Sequence, residues 1–403
     1  MLDLLDGVRV LSFNHFLLGP VGIQVLGDLG ADVIAVESLD GAFQRQWAGA
    51  DTWVDGQSVL MLCGGRNKRS LAIDLRSEAG RAIVLQLADR SDVVTENFRP
   101  GVMERLGLGY EALSARNPAL IYASASGYGP DGPYVDRPGQ DLLIQAISGL
   151  AAITGSAESG PRPVGVSATD HHGAALLAQG ILAALFRRER TGKGCRVDVD
   201  LLSAALDMQM ESIVAYMNGP REGDVSAPAP VAGWYYGAPY GIYAAADGHL
   251  AISLTSLETL AEALETPALA DYDARQQFSK RAELATAVAD AVAGRTLAEL
   301  VARLDAHKVW NMPVADYDDL ARDPQVAHNG SLLTVPGATG TPITLLNHPN
   351  RFDGEVAEVR LPPQPLGAQT AEVLAELGYD SAAIRQLAAD GVVRLHDDEA
   401  GRA

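Results

Sequence analysis

The 403-residue chain carries 51 Asp and Glu against 31 Lys and Arg, for a formal charge of −20, and is 47% hydrophobic. That charge argues against nucleic acid or anionic membrane as a partner of the whole surface, and the length argues for two domains. The longest apolar run, Ala174 to Phe186, is broken by Gln179 and Gly180 and is too short to span a bilayer.

The N-terminus, with Asp3, Asp6 and Arg9 around a short apolar pattern, does not read as a signal peptide. The two cysteines, Cys63 and Cys195, have neither metal nor redox spacing. Reduced thiols in a cytoplasmic, metal-free protein are the expectation.

The first half alternates strand and helix. VRVLSF (8–13) is a short apolar strand, and PVGIQVLGDLG (20–30) reads as a helix opened by Pro20 and closed by Gly30. Further strands are expected at DVIAVE (32–37), SLAIDL (70–75), DVVTEN (92–97) and ALIYASAS (119–126). Between them, residues 77–90 form a Ser-capped helix with Ile83, Val84, Leu87 and Ala88 on one face. This rhythm predicts an α/β fold, a parallel sheet with helices on both faces. Residues 61–105 hold eight Lys and Arg against six Asp and Glu, a basic island suited to an anionic small ligand or, equally, to a solvated face of alternating charge.

VSATDHHGAALLAQGILAALF (166–186) places Asp170 where a polar loop becomes an apolar helix. An Asp there is a good N-cap, stabilised as an anion by the helix dipole and by unpaired backbone N–H groups. An ionised carboxylate is a potential nucleophile toward activated acyl groups. A strand at 195–201 and a helical stretch at 201–217 follow. Residues 218–233, rich in Pro, Gly and Ala, read as a linker. GIYAAADGHLAISL (241–254) is a hairpin around Asp247-Gly248. Helical patterns near 256–265, 280–293 and 297–306 suggest a smaller α+β domain, and the tail from about 366 reads as helix. Gly127, Gly129 and Gly132 spell GxGxxG, but Pro130 and Pro133 interrupt the helix that a dinucleotide site needs, so a long loop is expected instead.

Several segments in order resemble the class III CoA-transferase family: GVRVLSFNHFLLGP (7–20), LGADVIAVE (29–37), RNKRSLAIDLRSEAG (66–80), DVVTENFRPGVMERLGLGYEAL (92–113), NPALIYASASGYGPDGP (117–133), the Asp170 helix, RTGKGCRVDVDLLSAAL (190–206) and PYGIYAAADGHLAI (239–252). The resemblance covers most of the chain. It implies a Rossmann-like large domain from both chain ends (1–217 and 340–403), the 218–233 linker, a small domain at 234–339, and an interlocked homodimer.

It also implies roles. Asp170 falls at the family's nucleophilic aspartate. The CoA-binding residues would be His15, Leu17, Leu18, Ile73, Asn97, Phe98 and Arg105; by charge alone Arg99 or Arg45 could also hold a phosphate, each arginine equally suits a surface ion pair, and His15 equally suits a core or capping role. Gln140, Asp141 and His171 would belong to the substrate pocket, while His171 and His172 equally suit packing of the first helical turn. The loop GWYYGAPYG (233–241) is a candidate oxyanion loop or a plain turn.

The family's racemase branch has its histidine base where this chain has Gln140. An amide cannot take an alpha proton near neutral pH, so transfer of CoA between an acyl-CoA and a carboxylic acid is favoured over racemisation. Leu17 and Gln140 depart from the formate–oxalate pattern, which points to a larger or dicarboxylic acid. No tightly bound cofactor is expected, coenzyme A being part of the substrate.

Overall fold

The computed structural model describes residues 2–219 and 225–396. They form two compact units. The first comprises Met1–Ile144, Ser167–Ala205 and Gln325–Ala403; the second comprises Gln145–Val166 and Leu206–Pro324.

The first unit is built on a seven-stranded sheet: β1 (Arg9–Phe13), β2 (Asp32–Glu37), β3 (Lys68–Ile73), β4 (Val93–Glu96), β5 (Ile121–Ser126), β6 (Cys195–Asp200) and β7 (Val393–Arg394). The spatial order is β7-β3-β2-β1-β4-β5-β6. All neighbours pair parallel except β7, which runs antiparallel to β3 with Val393 opposite Ile73.

Successive strand residues point to opposite faces, so each strand feeds two cores. Leu11, Ile34, Val94 and Tyr122 pack on one side with Leu87, Met103, Val373 and Ile384. Val10, Val33, Val93 and Ile121 pack on the other with Ile23, Leu26, Leu177 and Ile181. Each fully buried Leu or Ile contributes about 1.5–3 kcal/mol against remaining exposed. Helices on both faces, as the sequence rhythm predicted, follow from strands apolar on both sides.

Two helices on the second face matter most for the site. They are α1 (Leu18–Asp28) and, after a short helix α2 (Asp141–Ile147), the long helix α3 (Ala168–Thr191). They approach closely through glycines. A Cβ on Gly22 would lie 2.8 Å from the Ala174 carbonyl oxygen, and one on Gly173 would lie 2.6 Å from Leu18 Cδ1.

The second unit has its own core, including Tyr243, Leu250, Leu260, Leu284 and Leu304. Its three-stranded antiparallel sheet contains the expected hairpin, Gly241–Ala244 against His249–Ile252, plus Asn311–Pro313. The helix expected over 201–217 breaks at Gln209 into Leu201–Met208 and Met210–Asn218. The predicted linker is not a loose spacer. Val231 and Ala227 are buried, and Val231 bridges Gly241; residues 220–224 lie outside the described residues. The tail holds more than helix, since it also supplies β7, and residues Leu332–Pro336 and Pro342–Leu346 form a hairpin absent from the sequence reading. Among the described residues no helix is long and apolar enough to cross a membrane, and no cluster of His, Cys, Asp and Glu could hold a metal ion.

Candidate active site

The strand order reverses direction between β1 and β4. In an open α/β sheet the crevice beyond the carboxyl ends of such strands is free of crossing connections and accepts ligands. Asn14 and His15 leave β1 there, and Asn97 and Phe98 leave β4 beside them. The two exits are laced together. His15 N–H donates to Asn97 Oδ1 at 2.8 Å, Asn97 Nδ2 donates to His15 O at 2.8 Å, and the imidazole Nε2 lies 3.1 Å from Asn97 O. Burial lowers the His15 pKa, partly offset by that backbone contact.

A cavity of about 860 Å³ opens at this edge. Its wall comes from the β1 exit (His15 to Leu18), the β4 exit (Asn97 to Pro100), the β5 exit (Ala125 to Gly129), the 135–142 segment, and Ser167, Asp170 and Leu201. Phe16, Phe43 and Trp47 also line it, with 37%, 40% and 51% of their surfaces exposed. Their rings continue a row from Phe98 through His15: centroids are 5.2 Å apart for His15–Phe98, 4.7 Å for His15–Phe16, 4.3 Å for Phe16–Phe43 and 6.2 Å for Phe43–Trp47. Arg99 and Arg137 are the cations of the wall, and Arg137 sits 4.4 Å over the Tyr134 ring.

Asp170 is not the N-cap of α3. The cap position is Ser167, whose side chain makes no capping bond, and Asp170 is the third helical residue. The capping role falls to Asp141, at the start of α2. Its Oδ1 accepts Thr169 N–H at 2.8 Å, Thr169 Oγ1–H at 2.6 Å and Asp170 N–H at 3.3 Å. Thr169 is fully buried, which fixes the pair in place.

The expectation that Asp170 simply stays ionised is therefore corrected. Burial, and then the Asp141 charge, push its pKa up to about 7. These two effects outweigh the helix dipole, which favours the anion by up to about 2 kcal/mol in a partly buried geometry. Among the described residues no hydrogen bond or ion pair reaches the Asp170 carboxylate, so it faces the cavity unneutralised.

Other anticipated residues distribute as follows. His15, Leu17, Leu18, Asn97, Phe98, Gln140 and Asp141 line the cavity with Asp170. Ile73 does not: it is fully buried in the sheet core. Arg105, on the helix Val102–Arg105, and His171 are exposed and lie outside the lining. The 233–241 loop belongs to the second unit, where Trp234 donates to Ser212 and Tyr235 and Tyr236 both donate to Glu211.

Much of the basic island is structural. Arg66 chelates Asp28, Lys68 Nζ donates to Pro20 O and Gly64 O, and Arg69 bonds Asp32, Glu372 and Glu376. Arg45 likewise pairs with the buried Glu37. Phe16, Phe43, Trp47 and Arg137 are site residues that sequence reasoning missed. Aromatic residues clustered just beyond β1 and β2 were the available signal.

The GxGxxG decoy has another use. Gly127 and Gly139 touch backbone to backbone, so a Cβ on Gly127 would fall 2.6 Å from Gly139 Cα. The contact closes a loop whose downstream end presents Gln140 and Asp141.

The family model described as CoA-transferase family III matches residues 5–370. Mouse succinyl-CoA:glutarate CoA-transferase is 32% identical, over 98% of this chain and 91% of its own. A probable fatty acyl-CoA transferase from Mycobacterium tuberculosis is 34% identical, over 92% and 97%. The crystal structure of a CAIB/BAIF family protein from Brucella suis aligns with a TM-score of 0.79 at 30% identity, covering 92% of this chain and 98% of that one.

Proposed function

Since the chain belongs to CoA-transferase family III, we propose that it moves coenzyme A between an acyl-CoA and a carboxylic acid, with Asp170 as the covalent carrier. The observation that carries this reading is an unneutralised carboxylate on the wall of a large cavity at the sheet's switch point.

The chemistry balances without water. An Asp170 carboxylate oxygen attacks the acyl-CoA carbonyl carbon, the C–S bond breaks, and CoA leaves as thiolate, giving an aspartyl-acyl anhydride. The thiolate then attacks the aspartyl carbonyl and expels the first acid as carboxylate, leaving an aspartyl-CoA thioester. The incoming carboxylate attacks that thioester, forming a new anhydride and releasing thiolate. The thiolate attacks the new acyl carbonyl, which frees product acyl-CoA and restores Asp170.

For CoA, the β1 and β4 exits offer His15, Leu17, Leu18, Asn97 and Phe98 to the pantetheine and adenine, and Arg99 to a phosphate. Arg105, exposed and outside the cavity lining, is kept in this reading as a further phosphate partner. For the acid we favour a C4–C5 dicarboxylate, in line with the mouse relative's name and with Arg137 on the wall. The exposed Phe16–Phe43–Trp47 row favours a second reading, an apolar acyl group. Racemisation is disfavoured because Gln140 supplies no base.

An interlocked homodimer is part of the proposal. Its support is the face of the helix Met210–Asn218, where Met210, Val214 and Met217 are each more than half exposed at helical spacing. Light scattering in solution should give twice the chain mass.

The test is a rapid quench during turnover with succinyl-CoA or acetyl-CoA and a panel of carboxylates. Mass spectrometry of the peptide holding residue 170 should show added acyl or CoA mass, trappable with hydroxylamine, and Asp170→Ala should abolish transfer. Full transfer by Asp170→Ala would overturn the proposal. Deuterium uptake at the alpha carbon without transfer would favour the racemase.

A further inference from the structure

We infer that the Asp141 carboxylate, seated on the backbone N–H groups of Thr169 and Asp170, is a positioning residue whose repulsion disfavours Asp170 as a free anion and thereby favours its acylated forms. The inference rests on the proposed role of Asp170 as nucleophile.

The geometry is specific. Three donors converge on Asp141 Oδ1, two from Thr169 and one from the Asp170 backbone. Such donors stabilise a charged carboxylate. The start of α3 does not need a charge for this. A neutral hydroxyl is at the cap position in Ser167, and it makes no capping bond. A carboxylate from another helix takes its place, 29 residues earlier in the chain than Asp170. The result is two carboxylates at one helix start, one held by donors and one without a partner of its own.

The other titratable groups at this end of α3 are His15, Arg99 and Arg137 on the cavity wall, His171 and His172 on the helix, and Asp200 at the end of β6. The charge of α1, Asp28, lies at that helix's far end and is paired with Arg66. Asp141 bonds the backbone carrying Asp170, and its charge adds to burial in raising the Asp170 pKa.

The energetic consequence follows from charge balance. Free Asp170 carries a full negative charge beside Asp141. In the anhydride and the thioester that side chain is neutral, and the charge has moved to the CoA sulfur or the departing acid, both mobile. Whatever disfavours the anion against its protonated form disfavours it similarly against its acylated form. Asp141 thus spends repulsion in the resting enzyme to stabilise the covalent state, at the cost of a smaller ionised fraction near neutral pH.

Asp141→Asn tests this, because its amide oxygen can still accept from Thr169 while the charge is gone. The acid limb of the kcat/KM profile for acyl-CoA should move about one unit to lower pH, and the acyl-enzyme occupancy at saturating donor should fall about tenfold. A second measurement is independent of turnover. In a double-mutant cycle at pH 8, Asp170→Asn should raise Tm more in the wild-type background than in Asp141→Asn. Adduct at wild-type occupancy with an unmoved acid limb, or an additive cycle, would overturn this inference alone. No adduct on the wild-type protein would remove the covalent reading, and this inference with it.

Discussion

Asn97 grips His15 from both sides of its peptide: one amide group accepts the His15 N–H and donates to the His15 carbonyl, each at 2.8 Å. This is how a side chain leaving β4 locks the loop leaving β1 across the switch point. Asn97→Ala removes both bonds and leaves a half-buried donor and acceptor without this partner. A loss of about 1–3 kcal/mol is expected, read by thermal denaturation. The KM for acyl-CoA should rise about tenfold with a smaller change in kcat, because the loop carrying His15, Leu17 and Leu18 is a binding wall. An unchanged KM would detach this lock from substrate binding.

Gly127 and Gly139 leave no room for a side chain between them, since a Cβ on Gly139 would fall 2.3 Å from Gly127 Cα. Backbone must move to relieve such a contact. Gly139→Ala should therefore displace Gln140 and Asp141 and loosen the start of α3. We expect kcat to fall about 100-fold, as for a misplacement of reacting groups by about 1 Å, with a cost of about 1–3 kcal/mol in stability. Steady-state kinetics beside a melting curve separates the two effects.

Arg66 and Arg99 have the same chemistry and opposite assignments. Arg66 is buried against Asp28, with a side-chain exposure of 5% against 2%, while Arg99 is exposed on the cavity wall. Arg66→Met removes the guanidinium from the buried Asp28 carboxylate, which keeps its contacts to Asn67 and His348, and should cost about 3–5 kcal/mol with kcat/KM intact well below the new Tm. Arg99→Ala should leave Tm within a degree or two and raise the KM for acyl-CoA several-fold. Reversal of the two phenotypes would show that the basic island had been divided wrongly.

The contrast between those arginines marks where sequence reasoning stops. Composition located the island at 61–105, but only the fold decides which cations Asp28, Asp32 and Glu37 neutralise. The parallel sheet was legible because β1, β2, β4 and β5 are apolar on both faces. The order of those strands was not, since periodicity carries no information about neighbours. The two-residue strand β7 was hidden behind helical tail residues such as Val373 and Ile384. Asp170 was visible at its helix start, yet its environment was not, because the burial that shifts it, and then the Asp141 carboxylate from a separate helix, are set by the fold.

That environment makes Asp170 a liability to stability, and the sign can be tested. Its pKa is raised from 3.8 to about 7 in the folded chain. Between about pH 4 and 7 the native state therefore holds a proton that the unfolded state has lost, and stability falls as pH rises through this window. Above about pH 7 the full penalty is present, because Asp170 is then charged in its buried site beside Asp141. Asp170→Asn removes one of the two charges and keeps the shape. It should be more stable than the wild type by about 1–3 kcal/mol at pH 8, after allowance for the water that reaches the cavity, with the gain shrinking toward zero near pH 4. Thermal or urea denaturation at both pH values checks this. An Asp170→Asn protein less stable than wild type at pH 8 would mean that the carboxylate is held by favourable contacts, and the electrostatic account of this site would fail.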